Sequence, residues 1–260
     1  MSEQLDICQA FLKYAPPGEF EQCYAAVSSI IDNSSVVQEA RRSTIQEWTE
    51  NECQIVKLDN DQSALMCSEG RQPDGSYLDP STSKLYRYDF DVRQGTVIGP
   101  GPEGSPLRQT LQKKIAEYMT NSYKENAACG VFDGPNNTIT IVLRSASVSL
   151  RNFRTGRVIG RYVYSSGNIK GRIEAYFHFF ENGNAVCQHG GDLDKNCSES
   201  ADDIVKKITA FETSWLTKFN EGLKVMGDEA ILKLRRLTTV AKNKINWQQE
   251  CTYGGGMQTH

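Results

Sequence analysis

Residues 139–180 read ITIVLRSASVSLRNFRTGRVIGRYVYSSGNIKGRIEAYFHFF, and their pattern predicts an antiparallel sheet. β-branched and aromatic residues alternate with polar residues in three runs, which are Ile139–Leu143, Val158–Tyr164 and Ile169–Phe180. Glycines fall where turns are expected, at Gly134, Gly156, Gly167 and Gly183. The same pattern extends over residues 126–190, which therefore predict a meander of about five strands.

Helical spacing precedes this sheet. Within residues 1–50, apolar residues recur every three or four positions and predict three short helices, with a break at Ala15–Gly18 (APPG) after the first. Ser34 and Ser35 are the expected caps of the third helix. Residues 51–125 predict small strands and turns, followed by a linking helix that ends near Tyr123.

A long amphipathic helix is predicted over residues 198–227. Its apolar residues keep helical spacing: Ile204, Ile208, Phe211, Trp215, Phe219 and Met226. Ser200 and Asp203 resemble a capping box, and Gly227 is the expected stop. Beyond it, residues 228–260 predict a short, basic amphipathic segment outside the main core.

Charge is uneven along the 260 residues, whose formal net charge is −3. Residues 231–260 contain five basic residues and one acidic residue, and residues 134–173 contain seven basic residues and no acidic one. Either basic segment suits an acidic partner. The N-terminus has neither an apolar run nor a basic stretch, so we expect the cytosol or the nucleus.

The sequence offers few residues for catalysis or metal binding. Motifs for a nucleophile elbow, a phosphate loop, a zinc protease or a kinase are missing from it. The residues nearest to a metal set lack standard zinc spacing: His178, Cys187, His189 and Cys197. Asp192 and Asp194 are interpreted as a solvated turn, and the eight cysteines as reduced, mostly buried thiols. We predict no enzyme, no metal and no cofactor.

The basic segments leave two questions open. Residues 134–173, with interleaved aromatic residues, suit a sheet that binds RNA, although arginines on an antiparallel sheet more often form its solvated face. Residues 228–260 suit either a helix packed on its own domain or an extended arm that presents an apolar stripe to another protein.

Five segments, in order along nearly the whole chain, carry a family resemblance. They are Ala15–Phe20 (APPGEF), Leu78–Pro80 (LDP), Asn152–Arg157 (NFRTGR), Phe177–Asn184 (FHFFENGN) and a tail running from Leu234–Arg236 (LRR) to Lys242–Trp247 (KNKINW). Together they resemble the alpha subunit of the F-actin capping protein, the CapZ family. Arg154 and Val158 stand where that family usually has tryptophan.

The resemblance implies an α+β fold in a mushroom-shaped dimer with a like-folded capping protein beta subunit. Residues 1–50 would form a helical stalk, the two sheets would join, the long helix would cross the sheet, and residues 228–260 would form a mobile tentacle. The implied function is to bind actin-filament barbed ends without calcium, blocking subunit addition and loss without severing. The implied subcellular location is the cytoplasm, at the cytoskeleton.

The residues expected to bind actin lie in the tentacle. The family's basic contacts fall on Arg236, Lys242 and Lys244, and Lys233 lies beside a further family lysine position. Four apolar residues are expected to hold the bound arm: Ile231, Leu234, Leu237 and Trp247. Acidic phosphoinositides and capping-protein regulators are further implied partners, and no nucleic acid is expected. The alternatives are the RNA-binding module in residues 134–173 and a capping-fold subunit of a larger complex such as dynactin.

Overall fold

The computed structural model describes residues 3–59, 61–123, 126–181 and 183–226. The chain forms two compact units, Met1–Thr209 and Ala210–His260. Within the described ranges, no helix combines the length and the apolar character that crossing a membrane requires.

Three helices form the N-terminal part, as the apolar spacing predicts: α1 (Glu3–Lys13), α2 (Phe20–Ile30) and α3 (Ser34–Asn51). Leu12, Phe20 and Trp48 are buried in their shared core. The Phe20 and Trp48 ring centroids lie 5.0 Å apart, and Trp48 Nε1 donates a hydrogen bond to the carbonyl oxygen of Ala15 at 2.9 Å. The proline-containing turn between α1 and α2 is thereby held against α3.

The predicted cap of α3 is wrong. Asn33, rather than Ser34 or Ser35, precedes the first helical turn, and its side-chain oxygen accepts from the Val36 amide at 3.4 Å. The amide oxygen of Asn33 satisfies one of the free N–H groups of the first turn.

Two small antiparallel sheets follow. The first pairs β1 (Ile55–Lys57) with β2 (Ser63–Leu65). The second contains β3 (Tyr77–Asp79), β4 (Lys84–Asp89) and β5 (Gln94–Pro100), in that order. Helix α4 (Pro106–Ser122) begins after Ser105, whose hydroxyl accepts from the Arg108 amide at 3.2 Å. Short 3₁₀ turns lie at Ser68–Gly70, Pro135–Asn137 and Leu150–Asn152.

The main sheet is the predicted five-stranded antiparallel meander, but Gly156, an expected turn position, lies within the strand Arg154–Ser165. Its strands are β6 (Ala127–Asp133), β7 (Ile139–Ser149), β8 (Arg154–Ser165), β9 (Asn168–Phe179) and β10 (Ala185–Asn196). They lie in the order β10-β9-β8-β7-β6, so every neighbour in the sheet is also a neighbour in sequence. This mixed architecture of helices and antiparallel sheet confirms the α+β fold class.

The turn interpretation of Asp192 and Asp194 is wrong, because both residues lie within β10. They stand opposite Arg172 and Lys170 of β9, and their carboxylates pair with those basic groups at 2.8 and 3.1 Å. Oppositely charged cross-strand pairs on a solvated face let a strand continue through a polar stretch.

Both faces of the main sheet bury side chains. Ile141, Ile169 and Ile173 are fully buried on one face. On the other face, Val142 and Ile159 join the core that also contains buried residues of the small sheets. The sheet is therefore an inner layer of the first unit, consistent with the alternation of its strands.

Strands β8 and β9 are joined by the tightest connection in the main sheet. Ser165 pairs with Asn168, and the two residues between them, Ser166 and Gly167, have φ angles of +48° and +81°. Positive φ at both central positions defines a type I′ turn, whose twist matches that of the flanking strands.

Helix α5 (Ala201–Val225) is the predicted long helix. The Asp203 carboxylate accepts hydrogen bonds from the amide and hydroxyl of Ser198 at 2.8 and 3.1 Å, so its partner is Ser198 and not the expected Ser200. In the second unit, the Trp215 and Phe219 rings stack with centroids 5.8 Å apart. The expected stop at Gly227 lies outside the described residues.

Candidate functional site

The predicted actin-binding residues all lie outside the described part of the chain. They are Ile231, Lys233, Leu234, Arg236, Leu237, Lys242, Lys244 and Trp247. The boundary at residue 228 lies outside it as well, so the C-terminal site stays a prediction.

Three of the five segments that carry the family resemblance meet in a polar junction, formed by the buried residues Glu19, Thr155 and His178 and the exposed Asn184. Glu19 Oε1 accepts from Thr155 Oγ1 at 2.5 Å and from His178 Nδ1 at 2.7 Å. The other ring nitrogen of His178 lies 2.5 Å from Asn184 Oδ1. Sequence reasoning identified these segments separately and did not predict that they meet.

The junction is suited to holding structure rather than to catalysis. Glu19 is 7% exposed, Thr155 2% and His178 6%, so a substrate could not reach the carboxylate or the imidazole. Each buried polar group is instead satisfied by the others. The turn between α1 and α2 is thereby fixed to β8 and β9.

Metal binding finds no support in the described ranges. There, no group of three or more histidine, cysteine, aspartate or glutamate residues is placed to hold a metal ion. His178, which belongs to the set considered in the sequence, uses Nδ1 for Glu19. The described cysteines form no disulfide.

Most of the basic segment 134–173 is occupied by internal contacts. Two ion pairs run to the residue after α3 and to the 3₁₀ turn after β2: Arg157 Nε lies 2.8 Å from Glu52 Oε2, and Arg161 Nε lies 3.0 Å from Glu69 Oε1. Arg144 is buried and donates to Gln54 at 3.3 Å. These arginines hold α3 against the sheet.

Arg161 also caps the end of helix α3. Its Nη2 donates to the carbonyl oxygens of Glu50 and Asn51 at 3.5 and 3.1 Å. A cation at this position complements the negative end of the helix dipole. The same nitrogen lies 2.9 Å from Cys53 Sγ. Burial nevertheless raises the pKa of the Cys53 thiol to about 12, so this cysteine is not an activated nucleophile.

At the other end of the segment, Lys170 pairs with Asp194, and Arg172 pairs with Glu174 and Asp192. The side chains of five of the seven basic residues in this segment thus make ion pairs or hydrogen bonds. In the described ranges, only Arg151 and Arg154 of this segment make no ion pair or hydrogen bond through their side chains. The segment therefore offers little free positive charge to a nucleic acid.

Strand β10 forms one edge of the main sheet and is twelve residues long. Among the described residues, its backbone pairs with β9 on one side only. Val186 is 51% exposed near the start of the strand. A long edge of this kind is a template for pairing with another strand. The sequence prediction ended the sheet at residue 190 and so missed half of this edge.

A protein-family model described as the F-actin capping protein alpha subunit matches residues 8–256. Among curated proteins, the chain is similar to the F-actin-capping protein subunit alpha of Yarrowia lipolytica, with 27% identity over 237 residues, covering 91% of this chain and 88% of that protein. The subunit of the same name from Caenorhabditis elegans is 25% identical over 279 residues, covering 99% and 97%.

The fold is also similar to a solved structure, the homodimeric actin capping protein alpha subunit from Plasmodium berghei. The TM-score is 0.69 at 19% sequence identity, covering 88% of this chain and 94% of that chain. This likeness independently supports the fold described above.

Proposed function

The chain belongs to the F-actin capping protein alpha subunit family, and we propose that it caps the barbed ends of actin filaments as one subunit of a dimer. The observation that carries the proposal is the extent of the family match, which runs from residue 8 to residue 256 and so includes residues 228–256 of the predicted C-terminal arm. In this proposal the protein blocks subunit addition and loss, without calcium, severing or catalysis, in the cytoplasmic actin cytoskeleton.

The edge strand β10, which has no second partner strand among the described residues, supports a dimer. Strand β10 presents twelve residues of backbone that a strand of a like-folded partner can extend. We propose a capping protein beta subunit as this partner. Because the similar Plasmodium berghei protein is described as homodimeric, a second copy of this chain is the alternative. Light scattering of the chain alone and with a beta subunit distinguishes the two.

The proposed actin-binding arm comprises residues 228–260. Five basic residues and one acidic residue in 231–260 give it a charge opposite to that of the whole chain. Each exposed ion pair contributes only about 0 to 1 kcal/mol, so charge mainly speeds the encounter with acidic actin. The apolar stripe of Ile231, Leu234 and Leu237 would slow dissociation, and a second arm on the partner would add avidity.

Seeded actin elongation tests this function. The dimer is expected to stop growth and shortening at barbed ends. The variant Arg236→Glu with Lys242→Glu is expected to lower the association rate and its dependence on salt, because fewer cations steer the encounter. Arg42→Glu is the matched control, since Arg42 is exposed on α3 and makes no described ion pair.

Two results would contradict the proposal. Barbed ends that elongate and shorten at normal rates in the presence of the dimer would rule out capping. Equal association rates for the native dimer and the double variant at low salt would rule out the basic arm. Deleting residues 231–260 adds a separate check, because it is expected to weaken capping while the cooperative thermal transition persists.

A further inference from the structure

An exposed patch lies at the end of the main sheet where β7 ends, β8 begins and β9 ends. It contains Leu150, Arg151, Phe153, Arg154 and Phe179, and we call it the hairpin patch. Its three apolar side chains are 36%, 43% and 51% exposed, in that order along the chain. Arg154 stands directly opposite Phe179 in the pairing of β8 with β9. Cross-strand partners lie within side-chain contact distance, so Arg154 and Phe179 are neighbours in this patch.

Phe153 is held in an uncommon conformation at the centre of this patch. Its φ angle is +50°, in the left-handed region, which bulky residues seldom adopt. Two backbone hydrogen bonds fix it, from its own amide to the Leu150 carbonyl at 3.2 Å and from the Phe180 amide to its carbonyl at 2.9 Å. Its ring meets the Phe180 ring edge-on, with centroids 5.8 Å apart.

A large apolar side chain that is both strained and exposed contributes little to the core. Asparagine or glycine would satisfy the same backbone at lower cost. Strained residues that persist in this way cluster at binding sites, where the surrounding structure sets the side chain in position in advance. Here the ring is 43% exposed and lies between two arginines in the sequence, Arg151 and Arg154.

The charge of the patch narrows the choice of ligand. Arg151 and Arg154 make no ion pair in the described part of the chain, whereas the other five basic residues of segment 134–173 are engaged. The whole chain carries a net charge of −3, whereas the hairpin patch carries two unpaired positive charges beside exposed rings. Guanidinium groups form paired hydrogen bonds with carboxylates.

We propose that the hairpin patch binds a short peptide segment of a partner protein that carries acidic residues beside an apolar anchor. Phe153, Phe179 and Leu150 receive the apolar anchor, and Arg151 with Arg154 receive the carboxylates. Aromatic and arginine side chains are the residues that most often dominate such interfaces. The patch lies outside the proposed actin-binding arm, so this inference does not depend on barbed-end capping.

Nucleic acid is a poorer match for the same surface. Affinity for a phosphate backbone grows with the number of phosphates neutralised, and two cations neutralise about two. An anionic lipid surface would likewise meet only two free charges, while the exposed apolar area is small and confined to one end of the sheet. The combination of few charges and several apolar side chains favours a peptide.

The test uses short random peptides displayed on phage, selected against the full chain in complex with its partner subunit. Peptides retained by the native protein are counter-selected on Phe153→Asn, which removes the ring but suits the left-handed backbone and should fold normally. Arg151→Glu with Arg154→Glu removes the charge. We expect the retained peptides to be acidic and apolar, and each variant to weaken them about tenfold or more.

Arg42→Glu is the control for charge and is expected to bind the same peptides unchanged. The proposal is overturned if no peptide distinguishes the native protein from Phe153→Asn. It is equally overturned if the distinguishing peptides lack acidic residues. Binding of a single-stranded RNA oligonucleotide or of phosphatidylserine vesicles through the patch, in place of peptides, would assign it to another class of ligand. Circular dichroism of each variant separates lost binding from lost folding.

Discussion

Glu19 and His178 are 159 residues apart in the sequence, yet Glu19 Oε1 accepts a hydrogen bond from His178 Nδ1 at 2.7 Å. The contact joins the turn after α1 to β9. Because both residues are buried and Thr155 donates to the same oxygen, one carboxylate serves two donors. The turn between the first two helices and the main sheet are therefore linked by a buried polar contact.

Replacing Glu19 with alanine should destabilise the fold by about 1–3 kcal/mol, because buried donors on Thr155 and His178 lose their acceptor. Urea denaturation measures the free energy of unfolding. Glu47→Ala is the control, since Glu47 is half exposed and pairs with Lys13 at 2.7 Å. Loss of this exposed ion pair should lower the free energy of unfolding by about 0–1 kcal/mol. Similar losses for the two variants would show that the junction is not important for stability.

Stability should fall at alkaline pH because of buried thiols. Burial raises the pKa of Cys53 to about 12 and that of Cys129 to about 11. An unfolded thiol ionises near pH 8.5, so at higher pH the unfolded chain binds fewer protons than the folded one. The contribution of these protonated thiols to the free energy of unfolding is complete below that pH and is lost as the pH rises towards the folded pKa.

Urea denaturation in a reducing buffer at about pH 8 and about pH 10 measures this effect. The free energy of unfolding can fall by at most about 1.4 kcal/mol per pH unit for each buried thiol. Cys129→Ala should reduce the pH dependence, since it removes one of these groups. A free energy of unfolding that stays constant, or that rises, between the two pH values would contradict the expectation.

The ion pairs of the sheet should differ in strength according to burial. Arg157 and Glu52 are 14% and 12% exposed, so Arg157→Ala leaves a mostly buried carboxylate unpaired and should cost roughly 3 kcal/mol. Arg172 is 52% exposed beside its partners, and Arg172→Ala should cost about 0–1 kcal/mol. Chemical denaturation compares the two, and equal costs would mean that water screens both sites alike.

Gly167→Ala should destabilise the protein by about 1 kcal/mol, because a side chain at a φ of +81° is strained in the turn between β8 and β9. Gly183→Ala provides the control, since Gly183 has open space around its Cα and no unusual φ. Thermal melting should show a lower midpoint for the first variant only. An unchanged midpoint for Gly167→Ala would indicate that the turn relaxes.

The features that sequence reasoning predicted are local ones. Helical spacing in residues 1–50 and strand alternation in residues 139–180 depend on residues a few positions apart, and both predictions are confirmed. The cap of α3 was misplaced because Asn33, Ser34 and Ser35 are all good caps, and only the backbone geometry distinguishes them.

Contacts between distant segments could not be predicted in the same way. Asp192 and Asp194 have the composition of a turn, and their basic partners on β9 became visible only with the strand register. Arg157 and Glu52 lie 105 residues apart, so their pairing has no local pattern. The family resemblance marked the segments of Glu19, Thr155 and His178, whereas their meeting depends on the three-dimensional fold.

Among the described residues the outer flank of β10 has no partner strand, and in the proposed dimer this has a consequence inside the cell. A chain synthesised without the proposed partner would keep the backbone groups on the outer side of this twelve-residue strand available for improper association. Because chaperones and proteases act on such unassembled molecules, the amount of this protein that accumulates should follow the supply of the proposed partner subunit.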